Sequence, residues 1–149
     1  MDKITAVFLY IAVGICLTYM PKAYAEKPDC NNIVVVDATS SEGAEIGEAI
    51  LSEINRSQAN PVEIYRFRTI QRFDRWIIAE VEFDLLEAGI FVIEKVNTGY
   101  RLAAIYGGVA LDNPADTIRQ VFITKLPDAP KELFYCYHPK GPPFRQEGE

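Results

Sequence analysis

Two glutamates offer the best prospect of acid–base chemistry in this sequence. Glu80 and Glu82 hold alternate positions in Trp76–Phe83, an apolar-rich segment whose pattern predicts a β-strand. Alternate strand residues point to the same side about 7 Å apart, a separation at which two carboxylates can serve as acid and base, as in glycosidases. The competing interpretation is an exposed charge ladder with Arg66 and Arg68 of the preceding strand. We expect the ladder, and therefore structural glutamates.

Other groups suited to catalysis are sparse after residue 25. His138 is the only histidine and lies in a proline-flanked tail, and the serines all lie at or on the first predicted helix: Ser40, Ser41, Ser52 and Ser57. Asp112 and Asp116 flank the start of a second helix, and the sequence around them lacks the further oxygen ligands that a calcium ion needs. Tyr106-Gly107-Gly108 lacks the lysine of a phosphate loop. We predict no catalytic residue, no metal and no cofactor.

Cys30 and Cys136 are predicted to form a disulfide. They lie near the two ends of the chain that follows residue 25, whereas Cys16 falls in the apolar segment before it. An isolated pair in an exported domain is usually oxidised. The alternative is two unrelated thiols. A zinc site is disfavoured because two distant cysteines and one histidine do not supply four ligands.

Residues 1–25 have the features of a cleavable secretory leader. An apolar run from Ile4 to Met20 follows Lys3, and Ala23-Tyr24-Ala25 is a small-x-small cleavage pattern, which places the cut between Ala25 and Glu26. An uncleaved membrane anchor is the alternative, because 17 apolar residues reach the lower limit for a span. The predicted location is periplasmic or secreted, with no membrane association after cleavage.

The net charge of the chain argues against some classes of binding partner. Its net charge is −6, and removal of a leader carrying Lys3, Lys22 and Asp2 leaves −7. An acidic domain without a basic run is a poor match for nucleic acid or anionic lipid. We therefore expect a protein or a small ligand as the partner.

The hydrophobic pattern predicts two helices and a short strand followed by a four-stranded meander. Ile46, Ile50 and Ile54 form an apolar stripe in a helix from Ser41 to Ser57, which a Thr39…Glu42 capping box would begin. The strands are predicted at Ile33–Val36, Val62–Arg72, Trp76–Phe83, Ile90–Val96 and Tyr100–Tyr106. A second helix is predicted to begin at Asp112–Asp116 and to end before Pro127.

The first hairpin of the meander can be given a register. With Phe73-Asp74-Arg75 as its loop, Arg72 faces Trp76 and Phe67 faces Val81, and Arg66 and Arg68 face Glu82 and Glu80 in turn. A shift by one residue would set arginines against apolar positions. Arg72 would then lie beside Trp76 at cation–π distance.

The elements together predict an α+β domain over residues 26–138, with a four-stranded antiparallel meander and an N-terminal and a C-terminal helix packed on a curved sheet. In outline this is similar to the helix-wrapped sheets of cystatin-like and related roll folds, a likeness of architecture that implies no function. Pro139 to Glu149 is predicted to be a disordered tail.

The favoured function is binding without turnover. Ile90–Ile93 is apolar on both strand faces, so a second helix or a partner subunit must cover the far face, which leaves a homodimer open. The candidate binding surface comprises Trp76, Phe91, Ile93, Tyr135 and Tyr137. The alternative function is a small enzyme that uses carboxylates or tyrosines in a pocket of the curved sheet.

Overall fold

The computed structural model of the protein describes residues 28–107 and 114–140. It has the predicted α+β class. The strands are β1 (Val34–Val35), β2 (Ile64–Phe73), β3 (Trp76–Phe83), β4 (Gly89–Val96) and β5 (Gly99–Gly107), and the helices are α1 (Ser41–Asn55), α2 (Pro114–Lys125) and α3 (Lys131–Tyr135). The predicted cleavage site at Ala25 and Glu26, the helix start at Asp112, and residues 141–149 lie outside the described residues.

The sheet has five strands in the order β1-β2-β3-β4-β5, and every neighbouring pair is antiparallel. The predicted sheet had four strands, and the short strand that was predicted separately before α1 is its fifth. Val34 and Val35 pair with Arg72 and Gln71, so the short segment before α1 joins the edge of the meander. Two residues are enough because the amide of Val36 continues the contact by donating to the carbonyl of Ile70 at 2.9 Å.

The first hairpin follows the predicted register only in part. Phe67 faces Val81 and Arg66 faces Glu82 as predicted, but the turn has two residues, because Phe73 and not Arg72 pairs with Trp76. Asp74 adopts the left-handed conformation, with a φ of 54°, that such a tight turn needs. β2 has two register shifts, between residues 64 and 66 and between residues 67 and 69. The second shift is why the pairs at Arg66 and Phe67 match the prediction although the turn is one residue shorter.

Helix α1 covers one face of the sheet. Its buried Ile46 and Ile50 pack with the side chains that β3 and β4 turn to this side. Ser40, and not Thr39, caps the helix, since its Oγ accepts from the amide of Gly43 at 3.1 Å. Thr39 donates to Asp37 instead, so the predicted capping box does not form.

Helices α2 and α3 cover the opposite face. Buried Ile118 and Phe122 of α2 and Leu133 and Phe134 of α3 pack against side chains from β3 and β4, among them Ile90 and Val92. The expectation that the middle of β4 is buried on both faces is confirmed, and α2 and α3 supply its second cover. The Cys30–Cys136 disulfide is also present and ties the end of α3 to the segment before β1, with Cα atoms 5.6 Å apart.

The C-terminal segment after α3 belongs to this layer. Pro139, which the sequence placed in a disordered tail, is buried, and the backbone amide of Lys140 donates to Glu80 at 2.8 Å. His138 between the disulfide and Pro139 is exposed. We refer to residues 136–140 as the strap.

Candidate functional site

Glu80 is a fully buried carboxylate on the α2–α3 face of the sheet. Its Oε1 accepts from Nη1 of Arg68 at 2.9 Å. Its Oε2 accepts from the hydroxyl of Tyr137 at 2.7 Å and from the amide of Lys140 at 2.8 Å. Both oxygens therefore have donors, and the charge is matched by a guanidinium, which is how a buried carboxylate is tolerated.

A β-bulge brings Arg68 to Glu80. Phe67 and Ile70 both pack toward α1 although they are three residues apart, so the chain fits two residues, Arg68 and Thr69, where a regular strand has one. Thr69 pairs with Glu80, and Arg68 becomes the extra residue whose side chain reaches the same carboxylate. The sequence carried a signal for this, because apolar spacing of three does not fit the two-residue period of a strand.

Glu82 lies between two guanidinium groups. Nε and Nη2 of Arg66 donate to its two oxygens at 2.5 and 3.0 Å, and Nε of Arg68 donates at 2.6 Å. The hydrogen bond from Arg66, with that from Arg68, lowers the pKa of Glu82 below its usual value. The hydrogen bond to Glu82 raises the pKa of Arg66. Burial opposes the charge of Arg68, but its hydrogen bonds to Glu80 and Glu82 outweigh burial and raise its pKa, so all three groups stay charged at neutral pH.

The hydroxyl of Tyr137 is fixed as a donor. Burial, and then the nearby charge of Glu80, raises the pKa of Tyr137 far above its usual value. A phenol held in this way keeps its proton and donates a hydrogen bond to the carboxylate. Glu80 lies under the strap, and Tyr137 and Lys140 of the strap both donate to it.

The exposed charge ladder predicted for this hairpin is wrong in one respect. Arg66 is exposed, but the side chain of Arg68 is only 12% accessible and that of Glu80 is not accessible at all. The difference comes from the strap and α3, whose packing on this face the strand pattern could not foresee. Removing one partner of a buried ion pair destabilises the fold far more than removing one partner of an exposed pair.

The predicted binding surface is not a surface in the described structure. Phe91 and Ile93 are buried under α1, whereas Trp76 and Tyr137 are buried in the α2–α3 layer. The residues therefore divide between two faces, and only Tyr135 is accessible, with its ring stacked under the guanidinium of Arg119 at 4.9 Å. Alternate strand positions point to opposite sides, which separates residues that are close in sequence.

Trp76 has a different cationic neighbour from the one predicted. Cζ of Arg75 lies 5.9 Å from the centre of its ring, whereas Arg72 turns to the α1 side and pairs with Glu42 at 3.4 Å. The shorter turn causes this exchange, because it moves each residue at the end of β2 by one position relative to β3.

An open cleft between α1 and β5 was not found from the sequence. It has a volume of about 360 Å³, within the range of ligand pockets. Its walls are formed by α1, β5 and the end of the β4–β5 hairpin, through Ala49, Ser52, Glu53, Arg56, Val96, Thr98, Tyr100, Arg101 and Leu102. The predicted position of β5 as the last strand of the meander was a signal for it, because a last strand leaves one edge open.

The groups in this cleft are suited to recognition. Tyr100 donates to Glu42 at 3.3 Å, and burial raises the pKa of its hydroxyl. Glu53 forms an ion pair with Arg56 at 2.8 Å. The cleft thus offers hydrogen-bond donors, hydroxyls and exposed charges, and both of its ionisable candidates for acid–base work already have partners.

Within residues 28–107 and 114–140, no group of three or more histidine, cysteine, aspartate or glutamate side chains is arranged to hold a metal ion. None of the helices in those ranges is both long enough and apolar enough to cross a membrane. Comparisons with protein-family models, with curated proteins and with solved structures found no match for this chain.

Proposed function

We propose that this chain is an exported domain that acts by binding a protein partner, and that the α1–β5 cleft is its binding site. The observation that carries the proposal is the contrast between the open cleft and the closed carboxylate cluster. Glu80 and Glu82, the best candidates for acid–base chemistry, are held by arginines, Tyr137 and the strap. The cleft is accessible and presents side chains suited to contact.

Export is supported by two independent features. The leader-like segment ending at Ala25 provides a route out of the cytoplasm, and the Cys30–Cys136 disulfide suits an oxidising compartment. The intact mass of the protein recovered from its native compartment tests this proposal, and it should correspond to a chain that begins at Glu26. A membrane-bound species that retains residues 1–25 would instead establish an anchor.

Binding is tested by using the oxidised protein as bait in the native envelope or culture fluid. A captured protein should then bind the purified domain saturably when its affinity is measured with both components pure. The double substitution Arg56→Gln with Arg101→Gln should weaken that binding, whereas Lys125→Gln with Lys131→Gln removes the same charge from exposed positions of α2 and α3 and should leave it unchanged.

The enzyme alternative is tested by a broad hydrolase screen. Glu53 and Tyr100 are the cleft groups that an enzyme of carboxylate or tyrosine type would use. An activity that Glu53→Gln or Tyr100→Phe abolishes, while the circular dichroism spectrum and melting temperature are retained, would replace binding with catalysis as the function.

A further inference from the structure

Among the described residues, no strand pairs with the outer edge of β5. β5 is the last strand in the sheet order, and among the described residues β4 is its only strand neighbour. Every second residue of such an edge directs its amide and carbonyl away from the sheet, and these groups require water or a partner. β5 extends from Gly99 to Gly107, whereas the opposite edge is partly covered by β1 and carries both bulges of β2.

The cleft exposes this edge directly. Tyr100, Arg101 and Leu102 are consecutive and all line it, yet consecutive strand residues point to opposite faces. Tyr100 and Leu102 pack toward the α1 side. The guanidinium of Arg101 instead bonds to Glu94 of β4, which faces Trp76 of β3 on the α2–α3 side of the sheet. The backbone edge of β5 must therefore form one wall of the cleft.

Helix α1 forms the opposite wall through Ala49, Ser52, Glu53 and Arg56. Ala49 and Ser52 are small, which leaves room beside the strand edge. A volume of about 360 Å³ admits a few residues of one extended chain, but not a helix, whose diameter with side chains is about 10–12 Å. A cleft of this size therefore favours a single extended segment.

Two arginines and one glutamate line the cleft, and this excess of positive charge favours an acidic segment. Arg101 and Arg56 have side chains 68% and 70% accessible, one on each side of an added strand. Glu94 does not depend on Arg101, because Arg75 also pairs with it at 3.1 Å. The Glu53–Arg56 pair is exposed and therefore weakly held. Arg101 is thus available to a carboxylate of a cross-strand neighbour, and Arg56, which caps α1, to one on the side that faces the helix.

We propose that the α1–β5 cleft takes one extended, acidic segment of a partner protein, which adds to the sheet as a sixth strand beside Gly99–Leu102. This inference rests on the proposed binding function and specifies its geometry and chemistry. The register shift at Ala103, where Leu102 faces Ile93 but Ala104 faces Val92, limits the regular edge to the half of β5 near the hairpin. The half of β5 that lines the cleft is that regular half.

The test uses the full oxidised chain and two synthetic probes. One is a short, end-blocked peptide in which valine alternates with glutamate, and the other carries lysine in place of each glutamate. We expect the acidic peptide to bind about tenfold more tightly than the basic one. Hydrogen exchange should show new protection of the outward-facing amides within Gly99–Leu102 and none in the opposite edge at β2.

Arg56→Gln with Arg101→Gln should weaken acidic-peptide binding about tenfold, and the matched control, Lys125→Gln with Lys131→Gln, should not. Equal binding of the two peptides, unchanged protection of β5, or equal effects of the two double substitutions would overturn the inference. Protection of β5 that depends on protein concentration without peptide would assign the edge to a second copy. A purified partner that binds without protecting β5 would refute strand addition and leave the binding function standing.

Discussion

The two faces of the sheet are closed by different physical means. Under α1 the core is a cluster of apolar side chains around Ile46, Ile50, Phe91 and Ile93. On the other side, α2, α3 and the strap cover an apolar cluster that adjoins the buried Arg68–Glu80 pair, and a disulfide holds the strap in place. A lost apolar side chain leaves a cavity, whereas a lost partner of a buried ion pair leaves an uncompensated charge.

This contrast explains where the accessible site lies. Around Glu80 the polar groups of the α2–α3 face bond to one another, and both oxygens of Glu80 have donors. The α1 face uses one helix, which leaves an open cleft beside β5. The buried ion pair thus lies on the face that two helices and the strap cover, whereas the candidate binding cleft lies beside the face that α1 covers alone.

Breaking the covalent tie should have the largest effect on the α2–α3 face. Substituting both Cys30 and Cys136 by serine should lower the free energy of unfolding by about 4–5 kcal/mol, because the bond closes a loop with a sequence separation of 106. Urea unfolding measures the loss, and reduced wild type should match the variant. A midpoint equal to that of the oxidised protein would show that the strap is held by packing alone.

Removing the buried cation should have the next largest effect. Arg68→Met should cost about 3 kcal/mol, because it leaves the charge of Glu80 buried without its guanidinium. Adding Glu80→Gln should recover part of this loss in a double-mutant cycle. Arg66→Met is the matched control, and it should cost much less than Arg68→Met because Arg66 is exposed. Equal costs for the two arginine substitutions would remove the distinction between buried and exposed pairs.

One substitution made at two positions of α1 sharpens the description of the apolar face. An added Cβ at Gly43 would lie 2.5 Å from the carbonyl oxygen of Asp37, so Gly43→Ala should cost about 1–3 kcal/mol. At Gly47 the Cβ would lie 3.5 Å from the ring of Phe67, an ordinary contact, and Gly47→Ala should stabilise the helix by up to about 1 kcal/mol. Thermal unfolding should show opposite shifts, and a shift of the same sign would contradict this packing.

The smallest expected effect is a dependence of stability on acid pH. The pKa of Glu82 in the folded protein lies below its value in the unfolded chain, so its contribution is complete above the unfolded pKa of about 4.3 and is lost as pH falls through the folded pKa. Melting temperatures between pH 6 and pH 3 should therefore fall less steeply for Glu82→Gln than for wild type. If the melting temperatures of the variant and wild type fall in parallel with pH, the contacts of Arg66 and Arg68 do not stabilise the ionised form of Glu82.

Local sequence patterns predicted the elements well because they report burial of individual segments. The stripe of Ile46 and Ile50 gave α1, and the alternation in Trp76–Phe83 gave β3. Details that depend on neighbouring elements were less predictable. Thr39 and Ser40 are both good caps, and the close approach of Gly43 to Asp37 accompanies the use of Ser40. Likewise, the same residues around Asp74 can form a two-residue or a three-residue turn, and this choice sets the register of β2 against β3.

The sequence by itself determined the α+β class, the order of the elements along the chain and the pairing of Cys30 with Cys136, because each follows from local periodicity or from the few cysteines present. Only the tertiary structure decided that Arg68 forms a bulge facing a buried Glu80, and that the open site lies between α1 and β5. Burial of a charge and exposure of a strand edge depend on which distant segments cover each face, and residues far apart in the chain settle this together.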